Sequence, residues 1–338
     1  MDGRRAARVA NSSAPVLSVV LPCFNERENL AALHQRLAPL LDRITGGSFE
    51  VIFVDDGSTD GCAQLLDAMN ERDGRFKAIH FSRNFGHQAA LSAGLDATTG
   101  AATVLMDCDL QDPPEVIEQF LERWRAGYEV VFAVRRKRKE GVLKRASYAV
   151  FYRSMRAMAE IEIPLDSGDF CLIDRAVVDV LRSLPESHRF LRGLRSWVGF
   201  RQIGVEYERQ GRHAGEPKYT LTKLVRLAIS GYVGFSTVPL RIASWIGLSA
   251  ALVGFVVATW AVATKILDIP SPTGWASTVA LILFLGGVQL LVLGVMGEYL
   301  GRVFDEVRGR PTYIVRDRVG FAEQTRAPAE REKVVAAQ

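Results

Sequence analysis

The stretch EVIFVDDGSTDG at residues 50–61 decides the fold, because a short apolar run ends there in two acids and a turn. Other apolar runs flank it along the chain: LSVVLP at 17–22, KAIHFS at 77–82, ATVLMDCD at 102–109 and EVVFAV at 129–134. Longer segments with helical spacing separate these runs. The alternation predicts parallel strands joined by crossover helices, and therefore an α/β domain with a mainly parallel sheet.

The composition is that of a folded protein, with 338 residues of which 48% are hydrophobic and 24% charged. The formal charge of +4 suits a membrane surface or phosphate-bearing ligands, and it is too small to predict nucleic-acid binding. The four cysteines lack metal-ligand spacing, which favours reduced thiols without disulfides. No cleaved secretory signal is predicted, since no apolar run precedes Leu17.

Two uncharged apolar runs near the C-terminus, residues 242–264 and 278–297, are long enough to cross a membrane. Basic residues precede and follow the pair, whereas the linker at 268–275 is poor in positive charge. The positive-inside rule therefore predicts a two-span hairpin in the cytoplasmic membrane, with the catalytic domain and both termini in the cytoplasm. The alternative is a pair of buried helices in a large soluble core.

These features divide the chain into six segments. Apolar residues within 219–235 recur at helical spacing with basic residues between them, which is typical of an amphipathic helix lying on the bilayer. The predicted segments are a flexible N-terminus at 1–14, a catalytic domain at 15–215, amphipathic juxtamembrane helices at 216–240, the transmembrane hairpin at 241–300, a cytoplasmic C-terminal segment at 301–320 and a disordered tail at 321–338.

Asp55 and Asp56 stand at the end of the second predicted strand, where α/β sheets bind their ligands. A carboxylate there can accept hydrogen bonds from a ribose or from a base N–H group. An Asx turn with a helix cap explains residues 58–60 without any ligand, but it does not explain the two acids. We therefore predict that the two acids contact a nucleotide.

The segment MDCDLQDPPE at 106–115 places Asp107 and Asp109 in alternation at another strand end. Two neighbouring carboxylates repel each other unless a cation lies between them. A hard divalent ion such as Mg²⁺ or Mn²⁺ takes oxygen ligands, and Asp109 and Gln111 can share it with a nucleotide diphosphate. Asp112 before two prolines also predicts a helix start, which is compatible with the metal site.

A diphosphate needs further positive charge, because the sequence contains neither a Walker-type loop nor a GxGxxG fingerprint. The candidates are the basic run at 135–145, together with Arg212 and Lys218. For the basic run, a solvated surface is the alternative interpretation.

The segment DSGDFCLIDR at 166–175 supplies one more carboxylate, Asp169, at a turn before an apolar strand. Asp169 is a candidate general base, because an acceptor oxygen must lose any proton or be oriented for in-line attack on the sugar carbon. Turn chemistry is the alternative interpretation. The five histidines show no paired spacing, and we expect each to be structural or solvent-facing.

Taken in order, these segments resemble the glycosyltransferase family 2 enzymes with a GT-A fold, specifically the polyprenyl-phosphate branch that includes dolichyl-phosphate mannose synthase and the bactoprenol glucosyltransferases. The resemblance covers nearly the whole chain. The matching segments are VVLPCFNERENL, VDDGSTDG, FSRNFGHQAALSAGLD, MDCDLQDPPE, SGDFCLIDR, RFLRGLRSWVGF, GRHAGEPKYTLTKL and VMGEYLGRVFDEVRGRPTYIV. Two departures are Cys171, where an arginine is expected, and Pro217, where a serine is usual.

The resemblance implies an inverting, metal-dependent transfer of one sugar to a polyprenyl phosphate, giving a β-linked product. The partners it implies are a nucleotide diphosphate sugar, the lipid acceptor and the membrane; a UDP-sugar is favoured, GDP-mannose is the other candidate, and a homo-oligomer is left open. The implied nucleotide contacts are Pro22, Phe24, Glu26, Asp55, Asp56 and Asp107. The other implied site residues are Asp109 and Gln111 with Asp107 for Mg²⁺ or Mn²⁺, Asp169 as catalytic base, Arg135 and Arg145 for the acceptor phosphate, and Arg212 and Lys218 for the donor diphosphate.

Two other functions remain open at this point. A processive polysaccharide synthase would carry a Q-x-x-R-W segment and more spans, whereas RGLRSW at 192–197 lacks the glutamine. A catalytically silent membrane scaffold or nucleotide-sugar sensor would be expected to have lost an acid among Asp107, Asp109 and Asp169, and all three are present.

Overall fold

The computed structural model describes residues 14–135, 167–186, 189–208, 238–267 and 274–321. These residues belong to two compact units. The first unit contains the α/β domain together with the residues that follow position 310, and the second contains the two long apolar helices.

The first unit is built from strands that alternate with helices. In chain order its elements are β1 (Leu17–Cys23), α1 (Arg27–Thr45), β2 (Phe49–Asp55), α2 (Cys62–Arg72), β3 (Phe76–Phe81), α3 (His87–Ala97), β4 (Ala102–Leu105), α4 (Val116–Arg125), β5 (Val130–Arg135), β6 (Ser167–Asp174), α5 (Arg175–Ser183), α6 (Leu191–Trp197) and β7 (Gln202–Tyr207). The second unit contributes α7 (Val238–Ile266) and α8 (Trp275–Arg308), and the chain then returns to the first unit with β8 (Val315–Val319).

One eight-stranded sheet, in the order β7-β5-β6-β4-β1-β2-β3-β8, forms the centre of the first unit. Strands β1, β2, β3 and β4 run parallel, as do β5 and β7. Strand β6 is antiparallel to both of its neighbours, and β8 is antiparallel to β3. The predicted α/β fold of GT-A type with a mainly parallel sheet is confirmed.

The central strands are buried on both faces, which explains their nearly continuous apolar sequences. Every residue of β1, β2 and β4 is buried. Helices α1, α2 and α4 cover one face of the sheet through leucine, phenylalanine and methionine side chains. Helix α3 covers the other face with three alanines, whose small size lets the helix pack close to β1 and β2.

The order of the strands sets the position of the predicted site. Strand β1 has β2 on one side and β4 on the other, and ligands of open α/β sheets bind at the carboxyl ends of strands beside such a reversal. Strand β6 runs antiparallel to β4, with Cys171 opposite Leu105. The beginning of β6 therefore lies at this same edge, and it carries Asp169.

The second unit is a hairpin in which α7 and α8 pack against each other. Residues Leu240–Trp260 have a mean hydropathy of 2.0, and Phe284–Arg308 a mean hydropathy of 1.4. Only 6% and 0% of their most apolar windows are buried within the protein, whereas helices of a soluble core would be mostly buried. Both helices are long and apolar enough to cross a membrane.

Three local features differ from the sequence predictions. Helix α4 begins at Val116, later than the helix start predicted from Asp112, and the Asp112 carboxylate accepts a hydrogen bond from the Tyr207 hydroxyl. Helix α8 continues past the predicted end of the hairpin until Gly309, whose left-handed φ of 59° stops it. The segment predicted only as cytoplasmic contains β8, which pairs with β3 at one edge of the sheet.

Candidate active site

The loops that follow β1 and β2 are locked together by side-chain hydrogen bonds. The Asn25 backbone N–H donates to Ser58 Oγ at 3.0 Å, and the Thr59 N–H donates to Asn25 Oδ1 at 2.9 Å. Asn25 takes the left-handed φ of 56°, which asparagine tolerates better than most residues. This turn leaves the neighbouring Phe24 ring 45% exposed, so its face is accessible to a planar ligand.

Asp55, at the end of β2, belongs to a buried chain of charged groups that the sequence did not reveal. Its Oδ1 accepts from the Ser58 N–H at 2.9 Å, and its Oδ2 accepts from His80 Nδ1 at 3.1 Å. His80 is fully buried on β3, and its Nε2 donates to Asp67 at 3.0 Å. Because ionised carboxylates only accept hydrogen bonds, a carboxylate at each ring nitrogen favours the doubly protonated imidazolium form of His80.

Electrostatics agree with this protonation state. Burial alone would lower the pKa of His80, but the hydrogen bonds to Asp55 and Asp67 outweigh burial, and the pKa is raised. Burial likewise favours a higher pKa for Asp55, but the bonds from His80 and Ser58 outweigh it, and the pKa is lowered. Asp317 of β8 lies opposite His80 in the strand register and also favours the charged imidazole.

Asp56 fastens the loop before α3 to the end of β2. Its two oxygens accept from the backbone N–H groups of Phe85 at 2.6 Å and Gly86 at 2.9 Å, and burial raises its pKa. The next residue, Gly57, has φ of +72°, and a Cβ there would lie 2.6 Å from the Arg83 carbonyl carbon. Asp56 therefore has a structural role in this loop, and its contact with a nucleotide stays a prediction.

Asp107 and Asp109 lie just beyond the end of β4 and are half-buried, while Cys108 between them is only 2% exposed. His87, the first residue of α3, donates from Nε2 to Asp107 Oδ1 at 2.9 Å. Desolvation would lower the pKa of His87, but the hydrogen bond and the charges of Asp107 and Asp169 raise it. The sequence predicted that His87 is structural or solvent-facing. The contact with Asp107 was missed because no spacing between the histidines pointed to a site.

Asp107 and Asp109 could provide some of the ligands of a divalent cation, with the others coming from a substrate. Carboxylate oxygens are the donors that Mg²⁺ and Mn²⁺ prefer, and two half-buried carboxylates leave coordination positions for the phosphates of a substrate. In the part of the chain that the structure describes, no group of three or more histidine, cysteine, aspartate or glutamate side chains could hold a metal ion. Gln111 is buried next to Asp109, whose Oδ1 accepts from the Gln111 N–H at 3.1 Å.

Cysteine thiols do not contribute to this site. Hydrogen bonds among the thiols together with burial raise the pKa of Cys23 and of Cys62, and the pKa of Cys108 is raised as well. Thiols with raised pKa values stay protonated at neutral pH, and only the thiolate binds metals well. The oxygen ligands therefore define the chemistry of this edge.

Asp169, near the start of β6, forms an ion pair with Arg192 of α6. Arg192 Nη2 and Nε both donate to Asp169 Oδ1, at 3.2 and 3.3 Å. The side chains are 20% and 23% exposed, so a ligand can reach the pair. Both charges also act on the pKa of His87, which places Asp169 and Arg192 beside the Asp107–His87 pair.

Of the remaining predicted site residues, the structure describes three and leaves three outside the described ranges. Pro22 lies within β1, and Glu26 directly precedes α1 and accepts from the Asn29 side chain. Arg135 ends β5. Arg145, Arg212 and Lys218 lie outside the described residues.

Removal of His80 should destabilise the protein in a pH-dependent way. Breaking a buried charged pair costs about 3–5 kcal/mol, so we expect His80→Leu to lower the apparent melting temperature of the full chain in detergent. The contribution of the His80 charge is complete below its unfolded pKa of 6.5, and it is lost as the pH rises through the raised folded value. The gap in melting temperature between wild type and variant should thus be wider at pH 6 than at pH 9, and a gap independent of pH would contradict the imidazolium.

Comparison with known proteins gives consistent results. Residues 18–182 match Glycosyl transferase family 2, and residues 238–303 match the GtrB C-terminal hairpin. An uncharacterized glycosyltransferase, YkcC of Bacillus subtilis, is 45% identical over 90% of this chain and 94% of its own length. The bactoprenol glucosyl transferase of Shigella phage SfX is 39% identical over 89% of this chain and 99% of its own. A prophage bactoprenol glucosyl transferase homolog of Escherichia coli is also 39% identical, over 89% and 98%.

Proposed function

Because the chain belongs to glycosyl transferase family 2 and is a glycosyltransferase, we propose that it moves one sugar from a nucleotide diphosphate sugar to a polyprenyl phosphate. The donor is a UDP-sugar in this proposal, with GDP-mannose as the alternative. The transfer takes place at the cytoplasmic face of the membrane, depends on Mg²⁺ or Mn²⁺ and inverts the configuration at the sugar carbon.

The observation that carries this proposal is the meeting of three acidic segments at one edge of the sheet. Asp55 and Asp56 end β2, Asp107 and Asp109 follow β4, and the antiparallel direction of β6 brings Asp169 to the same edge. A nucleoside contact, a diphosphate-binding centre and an acceptor-facing group can therefore act on one substrate complex.

Each group has a distinct task in the proposed reaction. The Phe24 ring and the Asp55 carboxylate, held by His80, bind the nucleoside. Asp107 and Asp109 would hold a divalent cation, which neutralises charge on the departing diphosphate. Asp169 acts on the acceptor oxygen, either by removing a proton or by orienting the acceptor for in-line attack on the sugar carbon.

The lipid acceptor is supported by the relatives and by the hairpin. Two of the relatives described above are named as bactoprenol glucosyl transferases or their homologue. Few of the side chains that the structure describes on the two apolar helices are buried, and many large hydrophobic ones are exposed, which suits contact with lipid. A membrane-embedded enzyme is well placed to receive an acceptor whose chain lies in the bilayer.

Strand β8 supports a hairpin topology. It directly follows α8, yet it pairs with β3 of the domain that precedes α7. Strands of one hydrogen-bonded sheet must lie on the same side of a membrane, so the chain crosses an even number of times. Arg241 lies in the first turn of α7, Arg302 and Arg308 lie near the end of α8, and Arg310 follows it; these basic residues favour the cytoplasm for that side.

A transfer assay tests the function. Purified full-length protein in detergent is incubated with Mg²⁺ or Mn²⁺, a polyprenyl phosphate and, one at a time, radiolabelled UDP-glucose, UDP-galactose, UDP-N-acetylglucosamine and GDP-mannose. We expect label in the organic phase from one donor, and none when the corresponding polyprenol without phosphate replaces the acceptor. No lipid-linked label from any donor would refute the proposal.

Mass spectrometry of the product separates this function from a processive synthase. We expect one sugar for each lipid phosphate, with the β-configuration visible by NMR. A ladder of longer glycans would favour the processive synthase instead. Donor binding without any transfer would favour the nucleotide-sugar sensor.

A further inference from the structure

We propose that α6 carries the contact for the phosphate of the lipid acceptor: Arg192 binds the phosphate, Asp169 orients Arg192, and buried Arg195 adds positive charge from behind. The inference rests on the proposed function and deepens it, because it adds Arg192 and Arg195 of α6 to the acceptor-phosphate contacts Arg135 and Arg145 that the family resemblance implies. The ligand class is a phosphate monoester.

The geometry of Arg192 leaves it able to bind a second anion. Its Nε and Nη2 share a single oxygen of Asp169, at 3.3 and 3.2 Å. A guanidinium has five N–H donors in a planar fork, so these two bonds leave donor capacity along its other edge. Because both side chains are about one-fifth exposed, the pair reaches the surface where an acceptor can approach.

Arg195 lies one turn further along α6, and its burial has no structural explanation within the described residues. Arg195 is only 3% exposed, and its Nε and Nη2 have no hydrogen-bond partner among the described residues. Its guanidinium lies 5.4 Å from the centre of the Phe132 ring, and the thiol of buried Cys171 is close by. Neither contact supplies the negative charge that a buried guanidinium normally requires.

The two arginines and Asp169 line the same small cavity, of about 10 Å³. Two guanidinium groups face one carboxylate around this cavity, which leaves a surplus of one positive charge. The cavity is too small for a phosphate group, so Arg195 does not contact the acceptor. Arg195 is therefore a positioning residue, which acts through its charge on Asp169 and Arg192.

A phosphate monoester is the anion that fits this surplus. It carries about −1.5 to −2 charges at pH 7, because its second pKa is about 6. Such a group would be repelled by Asp169 unless positive charge at the same place exceeded the single carboxylate. At neutral pH the acceptor has also lost most of its second proton, so Asp169 has little left to remove. Orientation of Arg192 is then the main task of Asp169.

The test compares variants of the full chain with farnesyl phosphate as acceptor and with the donor that succeeds in the transfer assay. Loss of a hydrogen bond to a charged group costs about 1.5–3 kcal/mol, so Arg192→Gln should raise the KM for farnesyl phosphate about tenfold or more. The KM for the donor should stay within about twofold of wild type. Arg201→Gln, which removes an exposed arginine beyond α6, is the matched control and should change neither constant.

Two substitutions of Arg195 test whether the residue acts through its positive charge or through packing. Arg195→Met should raise the KM for farnesyl phosphate, whereas Arg195→Lys should restore most of the affinity because it keeps the positive charge. If Met and Lys have equal effects, Arg195 serves packing alone and its part of the proposal is wrong. A variant counts as folded when it binds UDP as wild type does, which is measured by the thermal shift that UDP causes.

The outcomes separate this inference from the proposed function. If wild type transfers sugar to farnesyl phosphate but Arg192→Gln leaves its KM unchanged, the acceptor site is wrong and the function stands. If wild type transfers to no lipid phosphate, the function itself fails. Inorganic phosphate should inhibit transfer to farnesyl phosphate only weakly when the two are present at equal concentration. If inorganic phosphate binds as well as farnesyl phosphate does, a lipid-borne phosphate is not the preferred ligand.

Discussion

Replacement of Asp109 with alanine is expected to lower kcat for sugar transfer by about a thousandfold, because charge on the departing diphosphate loses its main electrostatic partner. Asp109 is half-buried beside Gln111 at the end of β4. Its removal leaves Asp107 as the single carboxylate of the predicted cation site. The rate is measured by the radiolabel assay at saturating donor and acceptor.

A binding measurement separates the metal from other causes of inactivity. Titration of Mn²⁺ into the protein with UDP present, followed by electron paramagnetic resonance, should show much weaker binding to Asp109→Ala than to wild type. Asp179→Ala is the control, since this exposed residue pairs with Arg175 on the surface of α5. Full transfer after exhaustive chelation with EDTA would show that no dication takes part.

Replacement of Asp169 with asparagine should have the second large effect, a loss of about a hundredfold in kcat/KM for the acceptor, because a displaced Arg192 no longer positions the phosphate for attack. Asparagine has nearly the same shape, but it removes the negative charge that fixes Arg192 at 3.2 Å. The guanidinium then loses its orientation toward the acceptor. The KM for the donor should change little, because the nucleoside contacts lie on other loops.

The pH profile of the Asp169→Asn variant distinguishes the two roles of Asp169. If Asp169 orients Arg192, the variant should lose a similar factor at pH 7 and at pH 8.5, where the acceptor is already a dianion. If Asp169 removes a proton, the deficit should shrink as hydroxide or buffer base replaces it. A strongly shrinking deficit would contradict the orienting role.

The folded domain and the acids at its strand ends could be predicted from sequence, because both depend on residues close together in the chain. Apolar runs that are followed by acids form β2 and β4, and the α/β fold follows from the alternation of such runs with helices. The two apolar helices follow from length and the absence of charge. The exact end of α8 was missed, since charged residues continue a helix until a glycine stops it.

Pairings between distant segments could not be predicted in this way. His87 reaches Asp107 across 20 positions, and Arg192 reaches Asp169 across 23. Neither pair follows a spacing rule, because the separation along the chain is set by intervening helices and loops. The bond from the Tyr207 hydroxyl to Asp112, 95 positions away, was missed for the same reason.

The amino-acid sequence by itself determined the elements, the acids at the strand ends and the apolar hairpin, since each arises from interactions within a few residues. Only the tertiary structure decided that β6 runs antiparallel and carries Asp169 to the acidic edge, that β8 returns to the sheet, and that Arg192 and Arg195 line one cavity with Asp169. The physical reason is that strand direction and charge pairing depend on burial and hydrogen bonding in the assembled sheet. These interactions join residues that are far apart in the chain, so no local sequence pattern reveals them.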